Sequence, residues 1–515
     1  MILSPFSRRT LLGGLAATVA APAIVRAQTS SETPFTLGIA SGDPSPDGFV
    51  IWTRLAPKPL ELHSGMRMTK ASVNWEVASD ERFATVVAKG EAIARPELGH
   101  SVHVEVAGLQ PNRPYWYRFI LGGATSTVGK ARTLPPLASA LDHARFIAAG
   151  CQNYENGYFT AYRRIAEEPD VDFLWHYGDY IYEGTGFHRA GAAPTVRTHH
   201  ADEPYSLDDY RARYAQYKLD ADLQAAHAAH TWWTTWDDHE VDNNWASQFD
   251  QDGTPPEIFA LRRQAAAQAY WENMPLRKTS FPQGPAIQIF RNAAYGDLLD
   301  CWFLDTRQFR DDQPCGDGGK PVCPEALDPK RTIMGAREEA WLFNGLAKGK
   351  RRWNLIANQV MMMPLDRRQS ETDPPLWNMD SWAGYPAARK RLLDHIQKQK
   401  ISNIVVTTGD EHQNFAGELR ARGTEGPALA TEFLGTSISS AGDGVDLSER
   451  NKIIIARNPH CPFINSQKGY VLHDVGRDHW QATFKVLDKV STRDGKLSTR
   501  AKWAVERGKP GLQKA

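Results

Sequence analysis

The chain has 515 residues, with 60 basic and 60 acidic side chains and a net charge of zero. That balance excludes a global field able to hold nucleic acid or an anionic membrane, and leaves only local patches for charged partners. With 41% hydrophobic residues and 16 Trp the chain can fill a substantial core, and its length predicts two folded units rather than one.

At the N-terminus, Ser7-Arg8-Arg9-Thr10-Leu11-Leu12 matches the twin-arginine export motif. The Gly- and Ala-rich stretch Gly13–Val25 is too short to span a bilayer comfortably, and a small-residue cleavage site lies near Val25-Arg26-Ala27. Residues 1–27 are therefore expected to be a signal peptide read by the twin-arginine machinery, which carries folded proteins. The mature protein is expected to be periplasmic or secreted. It should also be soluble, since no later segment has 18 continuous apolar residues.

Residues 34–135 read as an all-β module, because Val50–Arg54, Ser72–Val77, His100–Val106 and Tyr115–Phe119 alternate between turn residues. Leu109–Tyr117 looks like a tyrosine-corner region. Thr133-Leu134-Pro135-Pro136 is the expected linker. From 143 to 490, strand-like runs alternate with helical periodicity at Tyr158–Glu168, Leu207–Leu219, Glu257–Asn273, Gly335–Leu346 and Tyr385–Gln399, which argues α/β. Gly184–Pro204 and Asp311–Arg331 are expected to loop over or near a site. In an exported chain Cys315 and Cys323 can close a small disulfide loop, the alternative being a structural zinc. Cys301 and Cys461 are left to the core. Residues 491–515 are expected to form a basic tail, with Lys496–Lys514 a solvated helix or frayed end.

Five clusters of metal-ligand residue types occur in order. They are Gly150-Cys151, Gly178-Asp179-Tyr180-Ile181-Tyr182-Glu183, Asp237-Asp238-His239-Glu240, Asn358-Gln359 and Gly409-Asp410-Glu411-His412. Each follows a short apolar or β-rich run, so the clusters should converge beyond the strand ends, where α/β proteins build their sites. A binuclear metal site is expected. Thiolate and phenolate suit a strongly polarising ion such as Fe³⁺, whereas Asp238, Asp410 and the Gln359 amide suit Ca²⁺, with Asp179 placed to bridge. Some residues have a plainer reading. Cys151 alone would be a core thiol, Asp237 reads as structural rather than ligating, and His199-His200 reads as surface loop. Trp232-Trp233 reads as core. Arg197, Arg307 and Arg310 are each able to clamp phosphate.

The order of these clusters resembles the binuclear metallophosphoesterases, and within them the PhoD-type alkaline phosphatases and phosphodiesterases, relatives of the purple acid phosphatases. Asp179 and Tyr182 match the Gly-Asp-x-x-Tyr signature, Asp-Asp-His-Glu stands where many relatives have Gly-Asn-His-Glu, and Cys151 replaces a more common aspartate. The resemblance implies two packed sheets flanked by helices and a small fibronectin-like β-sandwich at the N-terminus. It implies Fe³⁺ on Cys151, Tyr182 and His412, Asp179 bridging, and Ca²⁺ on Asp238 and Asp410, with Zn²⁺ or Mn²⁺ as substitutes. Gln359 falls where relatives carry a ligating histidine and would bind directly or through water, with Asn358 the neighbouring alternative. His239 would be hydrogen-bond donor or general acid, while a metal-activated hydroxide attacks phosphorus in line. The substrates implied are small phosphate monoesters, diesters, or phospholipid in a phospholipase D-type variant. Two other classes compete, a non-catalytic calcium-stabilised binding protein and a zinc peptidase. The chain has no His-Glu-x-x-His helix for the latter.

Overall fold

The computed structural model describes residues 33–185 and 195–515. The twin-arginine segment 1–27, and residues 186–194 of the insertion beginning at Gly184, lie outside the described residues. Two sheets face each other. In the ten-stranded sheet, His143–Ala149, Phe173–His176 and Thr231–Thr234 run parallel at the centre. In the seven-stranded sheet, Leu299–Phe303, Trp353–Ala357, Ile404–Thr408 and Glu425–Leu434 do the same. The architecture is α/β.

These central strands carry almost no alternation because both faces are covered. Phe173–His176 and Thr231–Thr234 are buried at every position. Between the sheets, Phe146, Trp175, Tyr177 and Trp233 pack with Phe303, Trp353, Leu355 and Phe433. Trp232, on the opposite face of its strand, joins the helices outside. Both tryptophans are core, as expected.

The expected helices are present at Thr160–Ala166, Leu207–Lys218, Pro256–Asn273, Gly335–Lys348 and Pro386–Lys398. Two more, Ala221–Ala229 and Glu449–Arg457, have alanine-rich or short patterns that periodicity did not separate from loop. Leu207–Lys218 begins with a reciprocal cap in which Ser206 and Asp209 bond each other's backbone N–H, satisfying two donors that a helix start leaves open. The cap fixes the helix that presents Tyr217. Its hydroxyl accepts the N–H of Tyr182 at 3.0 Å.

One expectation gains a detail and another is corrected. Residues 34–135 are strands joined by turns and two short 3-10 segments, and three of these strands also belong to the ten-stranded sheet. Ile39–Ser45 pairs in parallel with Thr231–Thr234 and, with Gly48–Arg54 and Ser101–Val106, extends the ten-stranded sheet. The other strands form a five-stranded sheet packed on these through Phe49, Ile51, Val73, Tyr117 and Phe119. The Tyr115 hydroxyl accepts the Gln110 N–H at 2.9 Å and lies 3.2 Å from its carbonyl oxygen, pinning the turn as a tyrosine corner does. The basic C-terminus is neither helix nor frayed end. Leu497–Glu506 and Lys509–Lys514 are a hairpin on the edge of the large sheet. Its lysines face solvent while Val505 is buried, an alternation that suits an edge strand.

Candidate metal centre

Four of the candidate ligands hold a left-handed backbone: Cys151 (φ 54°), Asp179 (56°), Asp410 (68°) and His412 (55°). For non-glycine residues this conformation costs energy and persists where the surroundings impose it. Much of that constraint comes from Tyr177, buried between the sheets just below the strand ends. A Cβ on Gly150 would lie 2.3 Å from its ring, and one on Gly409 would lie 2.2 Å away. The hydroxyl donates to the carbonyl of Thr436. Glycine before Cys151 and before Asp410 thus lets both ligand turns close onto one aromatic plate. Gly178 does the same against its neighbour, since a Cβ there would come within 2.4 Å of the Asp237 nitrogen. Gly409→Ala is expected to destabilise the protein by roughly 1–3 kcal/mol, as overpacking in tight cores does. A thermal melt equal to wild type would contradict it.

The turns bring three overlapping groups together: Cys151 with Asp179 and His412, Asp179 with Asp238 and His239, and Asp237 with Asp238 and Asp410. Within each group, ligating atoms lie within 4.8 Å of one another. Tyr182 adds its hydroxyl, 2.7 Å from Asp179 Oδ2 and 2.9 Å from His412 Nε2. Thiol, phenol and imidazole therefore lie at one end and carboxylates at the other, with Asp179 shared.

Cations fit this donor set. Asp179 Oδ1 is buried with no hydrogen-bond partner, and so is Asn358 Oδ1. Burial pushes the Asp179 and Asp410 carboxyls well above the usual carboxylate range, and the neighbouring carboxylates, Asp237 among them, push both further. Burial likewise raises the Cys151 thiol, with Asp179 adding to it. Asp237 is pushed up to about 7 by burial despite Arg307. Asp238 is the exception. Burial opposes its ionisation, but His239 and Arg307 outweigh it and hold this carboxyl low. So many buried acids with so few cationic side chains need positive charge from elsewhere.

Gln359 has both amide ends engaged. Its Nε2 donates to the Leu304 carbonyl at 2.6 Å, and its Oε1 accepts from the Thr306 hydroxyl at 2.8 Å and N–H at 3.2 Å. Asn358, whose Nδ2 donates to the Val360 carbonyl at 2.7 Å, keeps its Oδ1 unpartnered. Of the two amides it is the one whose oxygen no protein group engages. Asp237, read from sequence as structural, is grouped with Asp238 and Asp410 while also taking the Arg307 Nε at 2.5 Å.

Arg307, fully buried, grips Asp380 with its two terminal nitrogens at 2.8 and 2.9 Å and lies 3.9 Å from both Asp238 and Asp410. Arg310 donates to the Asp380 carbonyl and Arg197 to Asp220, each at 2.7 Å. All three guanidiniums are engaged by protein groups rather than held open for phosphate. His200 is exposed as expected, but the His199 side chain is sealed. It is stacked between Tyr154 and Tyr217, so the surface-loop reading holds for only half of that pair. Cys315 and Cys323 form a disulfide, and Cys301 and Cys461 are buried thiols.

Sequence reasoning gave no role to several residues that hold the site. His239 Nδ1 lies 2.7 Å from Glu183 Oε2. Burial resists charging this ring, but Glu183, Asp238 and Asp179 outweigh it and keep it protonated well above its ordinary value. Glu240 accepts the N–H groups of Asp179, Tyr180 and Asp237 at 2.7–3.1 Å, tying two ligand turns together. Glu432 accepts the N–H groups of Met362 and Met363 and the Thr408 hydroxyl, at 2.6–2.8 Å, in the other sheet. Ser440 Oγ lies 2.7 Å from both the Tyr182 oxygen and the Cys151 carbonyl. A glutamate inside the otherwise uncharged run Leu429-Ala430-Thr431-Glu432-Phe433-Leu434 was a visible signal, because a buried acid needs partners. Ser440 offered none.

The family model described as PhoD-like phosphatase matches residues 146–484, and that described as PhoD-like phosphatase, N-terminal domain, matches 19–135. Alkaline phosphatase D of Bacillus subtilis (strain 168) is 44% identical over 502 residues, covering 97% of this chain and 85% of that protein. The solved structure of PhoD superposes with a TM-score of 0.92 at 45% identity, over 95% of this chain and 93% of that one.

Proposed function

The chain belongs to the PhoD-like phosphatase family and is a phosphoric ester hydrolase, and from that premise we propose that it is an exported phosphatase using Fe³⁺ and Ca²⁺. The observation that carries this reading is the shared Asp179, with a thiol, a phenol and an imidazole at one end of the site and carboxylates at the other. Cys151, Tyr182 and His412 would hold the ferric ion. Asp238 and Asp410, with the Asn358 oxygen, would hold calcium, and Asp179 would touch both. When bound, the ions supply the Lewis acidity that activates a water for in-line attack on phosphorus and neutralises charge building on its oxygens. Zn²⁺ or Mn²⁺ would be substitutes.

The protein's own part is orientation and proton delivery. Glu183 anchors His239 through Nδ1, and the surrounding carboxylates keep the ring protonated, so it can give a proton to the departing ester oxygen. Arg307 fixes Asp237 and Asp380 without neutralising the whole cluster. Small phosphate esters are the substrates. Whether monoesters, diesters or a phospholipid are preferred is a property of the rim, and a phospholipase D-type diesterase is the second reading. A calcium-stabilised binding protein is disfavoured, because such a protein has no need of His239 locked onto Glu183 beside the carboxylates.

Export rests on Arg8-Arg9 and on the Cys315–Cys323 disulfide, which suits an oxidising compartment. No helix of the described residues is long and apolar enough to cross a membrane. The residues near 34–135 are proposed to be fibronectin-like, on the strength of the Tyr115 corner. Elemental analysis, with turnover of nitrophenyl phosphate and its bis-ester on the same sample, tests the assignment. About one iron per chain together with calcium, and hydrolysis of either ester, is expected; calcium alone without turnover refutes it. Tyr182→Phe should abolish a visible phenolate-to-iron absorption band, and a band that persists would remove Tyr182 from the ion.

A further inference from the structure

Asp238 is anchored from outside the five ligand clusters. The backbone N–H of Asn244 donates to Asp238 Oδ2 at 2.8 Å. Asn244 itself has φ 53°, so the direction of that N–H depends on whatever keeps the residue left-handed. Two contacts do so, and both come from one short segment. Asn244 Nδ2 donates to Asp317 Oδ2 at 2.6 Å, and Gln313 Nε2 donates to the Asn244 carbonyl at 2.5 Å. The same Gln313 nitrogen reaches Asp380 Oδ1 at 2.8 Å, the carboxylate that Arg307 grips.

That segment runs into the loop closed by the Cys315–Cys323 disulfide. Gly319–Lys320 pairs with Trp377–Asn378, and Met379 N–H donates to the Gly318 carbonyl at 2.9 Å. Asp317 is held in an unfavourable posture, with φ 60° and its Oδ1 buried without a partner. An open loop would relax it, because closing the chain is what removes the alternatives.

We propose that Asn244 is a positioning residue for Asp238, and that the disulfide-closed loop, acting through Asp317, sets how tightly the carboxylate end of the site holds its cation. This rests on Asp238 being a cation ligand. Partners one step out from a ligand commonly govern its affinity.

The test is calcium titration, by calorimetry, of the mature full-length protein after chelation. Asp238→Asn should lose the site. Asn244→Gly keeps the N–H and the left-handed backbone but drops Nδ2. That variant, Asp317→Ala and the double variant Cys315→Ser/Cys323→Ser should each bind calcium about tenfold more weakly. Asp317→Asn, which still offers Asn244 an acceptor oxygen, should bind like wild type. Throughout these outer variants the visible band of the Tyr182 end should keep its position, which general damage to the fold would not allow. Wild-type calcium affinity in both Asp317→Ala and the double serine variant would overturn the inference. Wild-type affinity in Asp238→Asn would overturn the ligand assignment and this inference with it.

Discussion

Asp179→Asn is expected to empty the site of both cations and to lower kcat/KM at least about a thousandfold, the upper range for removing one electrostatic group from a preorganised site. Asp179 is common to the Cys151–His412 group and to the Asp238–His239 group, so no other side chain can replace its two oxygens at that junction. An amide keeps the shape but loses the charge and one of the two oxygen donors. The fold should survive, because Glu240 holds the backbone N–H of residue 179, which the substitution leaves intact. Without metal the variant should be at least as stable as wild type. Burial and Asp238 raise the Asp179 carboxyl, and a carboxyl raised on folding costs stability at neutral pH, a cost the amide removes. Metal analysis and paired melts, with and without metal, check this. Retained iron and calcium would refute the bridging role.

His239→Ala should separate from it cleanly. Metal content should stay near wild type while kcat for an alkyl phosphate falls by about 10²–10⁴, the range for general acid–base groups. The loss for a nitrophenyl ester should be much smaller, since a good leaving group needs no proton. Glu183→Gln should show the same leaving-group pattern more weakly, because Glu183 acts only through the His239 ring. Equal losses on both esters would remove His239 from proton transfer.

Four of the five ligand clusters were legible because they are short, glycine-led or acidic, and placed at the end of an apolar strand. Those are local facts. Positions that depend on a partner far along the chain were not legible. Asn358 and Gln359 are adjacent and chemically alike, and only the turn at Leu304–Thr306, over 50 residues earlier, decides which amide is left unpartnered. Ser440 meets Tyr182 from 258 residues away. The basic C-terminus was misread because its lysines suggested a solvated helix, while the alternation of Ala501, Trp503 and Val505 gains meaning only beside His479–Leu487. The pairing of Ile39–Ser45 was not legible for the same reason, since its partner Thr231–Thr234 lies some 190 residues on.

That pairing of Ser41 and Gly42 with Thr231 and Trp232 bears on how the molecule can be handled. A chain trimmed to begin after the Pro-rich junction at 135 would keep every candidate ligand and still lose three strands from one side of the ten-stranded sheet. Thr231–Thr234, buried on both faces in the whole protein, would become a bare apolar border with unpaired amides, a ready template for self-association. Such a fragment should precipitate rather than turn over ester, and the N-terminal quarter is best regarded as the seam that closes the catalytic sheet.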